Sequence, residues 1–225
     1  MQILLINPNS DPDMTAAIHS VAEQFAGNDF TVVTKATPGA PQFIETYQDE
    51  VLAAPGMMQL VRVNEAEVDA FVVACHCDPN LDALKEMTER PVVGIGEASM
   101  KLATMLGHSF SVVTTHQHSI PGKLVQARAY HMQDQLASVR APAKGEENLA
   151  DAELFLELSR RAIEEDRAEV IVLGCAGLSG MDSRIGSELG VPVLDGVKCA
   201  LAVATGLLRC GLSTSKVLGY NPEYE

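Results

Sequence analysis

A chain of 225 residues, 47% of them hydrophobic and 20% charged, has room for one large or two small domains with a real core, and wholesale disorder is excluded. Its 16 Lys and Arg against 30 Asp and Glu give a net charge of −14, which argues against nucleic acid or an anionic membrane surface as the main partner and leaves a small-molecule substrate. With no Trp and only 4% aromatic residues, the core must be filled by Val, Leu, Ile, Ala and Met.

In chain order, residues 1–6 begin with an apolar run that lacks a cationic flank and stops at Asn7-Pro8, so no targeting signal is expected. No stretch approaches the ~20 apolar residues of a membrane span, residues 200–208 being too short. The chain is therefore expected to be cytoplasmic. Short apolar runs recur at residues 3–6, 30–33, 70–74 and 92–95, and again at 110–113, 170–173 and 191–194. They are rich in β-branched residues and do not alternate, as strands buried on both faces of a parallel sheet do not. Between them the spacing predicts helices over 14–25, 43–63, 81–87, 98–106, 150–163 and 196–209. Met14, Ile18, Val21 and Phe25 share one face of the first. In the fifth, Asp151 and Glu153 come early and Arg160-Arg161 late, which suits the helix dipole. Residues 138–148, with Pro142, Lys144 and Gly145, read as a polar loop or hairpin connection. Strands alternating with helices predict a doubly wound α/β architecture.

The chain also repeats itself. Asp69-Ala70-Phe71-Val72-Val73-Ala74-Cys75 stands one hundred residues before Glu169-Val170-Ile171-Val172-Leu173-Gly174-Cys175. Downstream, Arg90-Pro91-Val92-Val93-Gly94 matches Val191-Pro192-Val193-Leu194-Asp195. Two pseudo-symmetric α/β lobes are expected, each a parallel sheet flanked by helices: residues 1–97 with 208–225, and residues 98–207.

Five cysteines (Cys75, Cys77, Cys175, Cys199 and Cys210) are an odd number and a poor disulfide framework, so free thiols are expected. Ligands of parallel α/β sheets bind beyond the carboxyl ends of the strands, where Cys75 and Cys175 fall. A pair of thiols facing one ligand suits removal of a proton from one face of an sp³ carbon and delivery to the other, which is racemisation without a cofactor. Turn residues and a helical pattern follow both cysteines, so each is expected near a helix N-terminus, where the dipole favours thiolate. A single cysteine ending a buried strand is more often a small core hydrophobe; two in matched repeat positions shift the balance towards chemistry.

Ile6-Asn7-Pro8-Asn9-Ser10, Ala74-Cys75-His76-Cys77-Asp78-Pro79, Val112-Val113-Thr114-Thr115 and Leu173-Gly174-Cys175-Ala176-Gly177 resemble the aspartate/glutamate racemase superfamily, and within it the hydantoin/allantoin racemase branch. Pro41-Gln42-Phe43-Ile44-Glu45 and Asp195-Gly196-Val197 fit that branch too. The resemblance implies a two-lobe α/β fold with the active site in the cleft between the lobes, no cofactor, and Cys75 and Cys175 as the acid/base pair. It also implies substrate binding by Asn9, Thr115 and the segments around His76, Ala176 and Gly177. Gln42, Phe43 and Ile44 are expected to form the wall for the substrate's side chain. Cys77 stands where the branch usually has Gly or Ser; the repeat register favours Cys75 as the acting thiol. Ala176 in place of the amino-acid racemases' Thr, and a neutral Asn7-Pro8-Asn9-Ser10, favour an imide-like ring over a free amino acid.

The expected function is cofactor-independent racemisation of a 5-substituted hydantoin, allantoin included, by a homo-oligomer. An aspartate/glutamate-type racemase or related cysteine-dependent isomerase is the alternative, and a non-catalytic binding protein of the same fold is the second. No metal is expected, since Cys75-His76-Cys77 with His116 and His118 lacks the usual zinc spacing. Gly94-Ile95-Gly96 is a turn into a helix and no dinucleotide fingerprint. Asp182 and Ser183 have no His in register for a triad. Cys199 and Cys210 are read as structural.

Overall fold

The computed structural model describes residues 1–223. Strands and helices alternate along them. The first half runs β1 (Gln2–Asn7), α1 (Pro12–Ala26), β2 (Thr31–Ala36), α2 (Tyr47–Asn64), β3 (Ala70–Val73), α3 (Leu81–Met87), β4 (Val92–Gly94) and α4 (Ile95–Leu106). The second runs β5 (Phe110–Val113), α5 (Ile120–Ala129), β6 (Leu136–Arg140), α6 (Ala152–Asp166), β7 (Val170–Leu173), α7 (Asp182–Leu189), β8 (Val193–Leu194) and α8 (Gly196–Arg209). The strands form two four-stranded sheets, ordered β2-β1-β3-β4 and β6-β5-β7-β8, with every pairing parallel. The chain divides into two compact units, Met1–Ile95 with the chain from Ala200 on, and Gly96–Cys199. Each unit carries one sheet, so the expected α/β architecture of two like parallel sheets flanked by helices is found.

The first unit's core joins Leu4, Ile6, Phe71 and Val73 of its central strands to Ala53, Met57, Leu60 and Val61 of α2 and Leu84 of α3. In the second unit the strands bury both faces. Val113, Ile171 and Leu173 meet Phe155, Leu158 and Ala162 of α6, while Phe110, Val112, Val170 and Val172 meet Met100 and Ala103 of α4 and Ala127 of α5. Alternate residues of one strand thus go to opposite helical layers, which is why these runs are apolar throughout. Each buried Val, Leu, Ile or Phe contributes ~1.5–3 kcal/mol.

Local chemistry sets the helix boundaries. Asp11 caps α1 through the Met14 N–H at 3.0 Å, with Pro12 in the first turn. A capping box between Thr46 and Asp49 starts α2 at Tyr47, later than the expected 43. α4 begins at Ile95, directly off β4, so the expected turn over residues 94–96 is already the helix's first turn. Residues 138–148 need a larger correction. Residues 136–140 are the edge strand β6, paired with β5, and only the residues after Arg140 are irregular. Ser138 and Arg140 hide this strand, which has no fully buried residue and so admits polar side chains. α5 was also absent from the expected elements; Pro121 and Gly122 in its first turn mask it.

In each sheet the first strand of its run lies beside the third, β1 beside β3 and β5 beside β7, and the connections leave that pair in opposite directions. A doubly wound sheet opens a crevice at the carboxyl ends of such a pair.

Candidate active site

In the first unit β1 ends in buried Asn7, and buried Asn9 follows. A buried amide left unpaired costs ~1–3 kcal/mol, and both are engaged. Asn7 Nδ2 donates to Asn9 Oδ1 at 2.6 Å and to Thr15 Oγ1 at 2.9 Å, and Asn9 Oδ1 also accepts the Asp11 N–H at 3.0 Å. The Asn9 carbonyl accepts the Thr37 N–H, and the Ser10 N–H donates to the Pro41 carbonyl, both at 3.0 Å. These two bonds hold the β2–α2 loop at the carboxyl end of β1. Ile44 lies on that loop, half-buried and packed on the first unit's core, while Gln42 and Phe43 are exposed.

Beside β1, β3 ends at Val73, and the Ala74 N–H continues the ladder to the Ile6 carbonyl at 2.8 Å. Cys75 is next and half-buried, followed by buried His76, half-buried Cys77 and buried Asp78. The Asp78 N–H returns to the Cys75 carbonyl at 2.9 Å and closes a turn. Asp78 and Asn80 both adopt left-handed conformations, with φ of 50° and 59°. The turn brings Cys75 Sγ to 3.3 Å from Cys77 Sγ. A Cβ added to Gly94 would lie 2.3 Å from Asp78 Oδ1, so glycine on β4 is what leaves space for this carboxylate. Asn80 Nδ2 donates to the Glu50 carbonyl at 2.8 Å and ties the loop to α2.

The second unit repeats the arrangement. The Gly174 N–H donates to the Val113 carbonyl at 2.7 Å, as Ala74 does to Ile6, and half-buried Cys175 follows. Cys175 caps a single 3-10 turn over Ala176–Leu178, and its Sγ accepts the Gly177 N–H at 3.4 Å. Buried Thr114 and Thr115 follow the neighbouring β5. Thr114 Oγ1 lies 3.1 Å from Ser119 Oγ. Asp195, just past β8, anchors the loop behind the cysteine. Its Oδ1 accepts from Ser179 Oγ at 3.2 Å and the Val197 N–H at 2.8 Å, and its Oδ2 from the Gly180 N–H at 2.8 Å. Burial pushes this carboxyl above the usual range, against the pull of those N–H donors.

The expected residues therefore fall at the carboxyl ends of the central strand pairs, Asn9, Cys75 and His76 in one unit and Thr115, Cys175, Ala176 and Gly177 in the other. The α-helix N-termini expected at the cysteines are displaced. α3 begins only at Leu81 and α7 at Asp182, because the left-handed residues after Cys75 and the 3-10 turn after Cys175 intervene. A local N–H on Cys175 Sγ takes the place of a helix dipole. Asp78 and Asp195 were not among the expected site residues. Both lie in motifs that carry the resemblance, residues 74–79 and 195–197, but what each carboxylate holds depends on partners distant in sequence, Gly94 for Asp78 and Ser179 and Gly180 for Asp195.

Cys199 is buried and its thiol is pushed up to about 12, by burial first and then by the Asp195 and Asp182 carboxylates. Such a thiol stays protonated and inert. Cys210 is exposed beyond the end of α8. His116 and His118 stack on one another, with ring centroids 5.6 Å apart. Among the described residues no group of three or more His, Cys, Asp or Glu is placed to hold a metal ion, and no helix is long and apolar enough to cross a membrane.

A sequence model described as Asp/Glu/Hydantoin racemase matches residues 3–204. The chain belongs to that family. Its relatives include a hydantoin racemase of Rhizobium meliloti, 41% identical over 98% of this chain and 94% of that protein. A hydantoin racemase of a Pseudomonas species, strain NS671, is 39% identical over 98% of this chain and 91% of its own. The solved allantoin racemase from Klebsiella pneumoniae superposes with a TM-score of 0.92 at 34% identity, covering 100% of this chain and 95% of that one. The chain is thus a racemase of the hydantoin/allantoin branch, as the motifs around Asn9, Cys75 and Cys175 led one to expect.

Proposed function

We propose that this racemase inverts C5 of a 5-substituted hydantoin, allantoin among them, in a two-base reaction carried by Cys75 and Cys175. The observation that carries the reading is the matched position of the two cysteines, each two residues past the third strand of its sheet and beside the end of the first. The named activities of the hydantoin and allantoin racemases to which the chain is similar support the substrate class.

The C5–H of a hydantoin is flanked by a carbonyl and an amide nitrogen, so its removal gives an enolate rather than a bare carbanion. One cysteine as thiolate takes the proton, and the other as thiol returns one to the opposite face of the same carbon. The reverse direction exchanges the roles. At Cys175 the Gly177 N–H supports the anionic sulfur. The backbone N–H groups of His76 and Ala176 are the proposed donors to the enolate oxygen, charge stabilisation of the kind that lowers such barriers most. Asn9 and Thr115 meet the ring's polar edge, and Ile44 faces its substituent. No cofactor enters the scheme. The chemistry needs reduced thiols, which suits the cytoplasm.

Circular dichroism on purified, reduced protein with single enantiomers of allantoin and of 5-benzylhydantoin tests the reading. Signal loss well above the spontaneous rate on either supports it, and the ratio reports the preferred substituent. Stable signals on both, with decay on aspartate or glutamate instead, would move the chain to an amino-acid racemase.

A further inference from the structure

We propose that Cys75 and Cys77 form a modification site, a dithiol that an oxidant of the peroxide or disulfide class closes to an intramolecular disulfide, reopened by a thiol reductant. The loss of racemisation expected on closure rests on Cys75 being one of the two bases; the bond itself does not.

The sulfurs stand 3.3 Å apart. A disulfide needs ~2.05 Å, so the sulfurs have little more than 1 Å left to close. The backbone has already made the approach, through the turn closed by the Asp78 N–H on the Cys75 carbonyl and the left-handed Asp78. Both cysteines are only half-buried, so a small oxidant reaches them, unlike Cys199. The arrangement is one-sided, since the residue standing to Cys175 as Cys77 stands to Cys75 is Gly177.

With peroxide, the Cys75 thiolate attacks one oxygen, breaking the O–O bond, and becomes a sulfenic acid while hydroxide leaves. The Cys77 thiolate then attacks the Cys75 sulfur, forming S–S and expelling the second hydroxide. Two thiols and one peroxide give one disulfide and two waters; the sulfurs lose two electrons and the peroxide gains them. With a disulfide oxidant the same sulfurs act through a mixed disulfide and release two thiols. A ring closed over one intervening residue is strained, and strained disulfides are the readily reduced ones, so closure is reversible.

Reduced protein is treated with hydrogen peroxide or, separately, oxidised glutathione, then alkylated and digested with trypsin. Cleavage after Arg62 and Lys85 puts Cys75 and Cys77 in one peptide, residues 63–85, and Cys175 in another, residues 168–184. The expected result is a fall from five free thiols to three, with peptide 63–85 unalkylated and two hydrogens lighter. Racemisation falls at least about tenfold and dithiothreitol restores it. In Cys77→Ser the internal link cannot form, and Cys75 is instead recovered as a dimedone-trapped sulfenic acid or a glutathione adduct. A cross-link between peptides 63–85 and 168–184, or five thiols remaining after treatment, would overturn the site. The internal link with full activity retained would leave the site standing and overturn Cys75 as a base.

Discussion

Cys75 and Cys175 hold the same register in two separate sheets. Each follows a residue whose N–H extends the ladder to the strand beside it, Ala74 to the Ile6 carbonyl at 2.8 Å and Gly174 to the Val113 carbonyl at 2.7 Å. If both are bases, replacing either leaves one of the two proton transfers intact. Cys75→Ala and Cys175→Ala are each expected to lose racemisation by at least about a thousandfold. Each is also expected to keep exchanging the C5 proton of one enantiomer into deuterated water, a different enantiomer for each variant. NMR of the recovered substrate reads this directly, and normal racemisation by both variants would contradict the pair.

The residue before each cysteine is not equivalent in the two units. Ala74 already carries a Cβ, whereas a Cβ on Gly174 would stand 2.6 Å from Val112 Cγ1 and 3.1 Å from the Val113 carbonyl oxygen. Val112 is fully buried and β-branched, so it has no room to yield. Gly174→Ala is expected to cost ~1–3 kcal/mol and to lower kcat, because the strand that presents Cys175 must shift. Thermal denaturation and kinetics check both.

Gly94→Ala tests the other unit. Its Cβ would meet the Asp78 carboxylate at 2.3–2.8 Å. The expected outcome is displacement of Asp78 and of the turn that carries Cys75, seen as a lower Tm together with a fall in kcat. A Tm change with kcat unaltered would show that Asp78 does not position the cysteine.

Asp195 is expected to position Cys175 through the loop it anchors at Ser179 and Gly180. Asp195→Ala strips the acceptor from Ser179 Oγ and from the Gly180, Val197 and Lys198 N–H groups and should lower kcat more than it raises KM. Alkylation of Cys175 should change rate in this variant, a readout that mere loss of stability does not move.

The ion pair at the end of β6 gives a stability prediction with a sign. Arg140 Nε and a terminal nitrogen grip Asp166 at 2.5 and 2.8 Å, at the C-terminus of α6, where an acid is otherwise unfavourable. The Arg140 guanidinium first, and Ser138 second, hold the Asp166 carboxyl below the usual carboxylate range. A lowered folded value means the stabilisation is fully present above the unfolded carboxylate pKa of ~3.9 and is lost as pH falls through the folded value. Asp166→Asn should therefore cost ~1–2 kcal/mol at neutral pH and nothing once wild-type Asp166 is itself protonated. Denaturant melts across the acid range measure it.

What could be read before the structure follows burial. The central strands, such as residues 70–73 and 170–173, are apolar throughout because both faces are covered, and they announce themselves. The edge strand β6, Leu-Ala-Ser-Val-Arg, does not, since half-exposed positions admit Ser and Arg. The cysteine pair was legible because the repeat aligns it. The 3.3 Å approach of Cys77 was not, because it depends on a left-handed Asp78 whose carboxylate is accommodated by Gly94, a contact between residues far apart in sequence.

The most direct test of the two-base account is isotopic. A single enantiomer of the preferred hydantoin is racemised by wild-type protein in deuterated water, and both enantiomers are recovered early and weighed for deuterium at C5. Two bases predict deuterium in the product and protium in the remaining substrate, since the proton removed on one face is not the one returned on the other. Equal early deuteration of substrate and product would mean that one base serves both faces, and would contradict the shared role of Cys75 and Cys175.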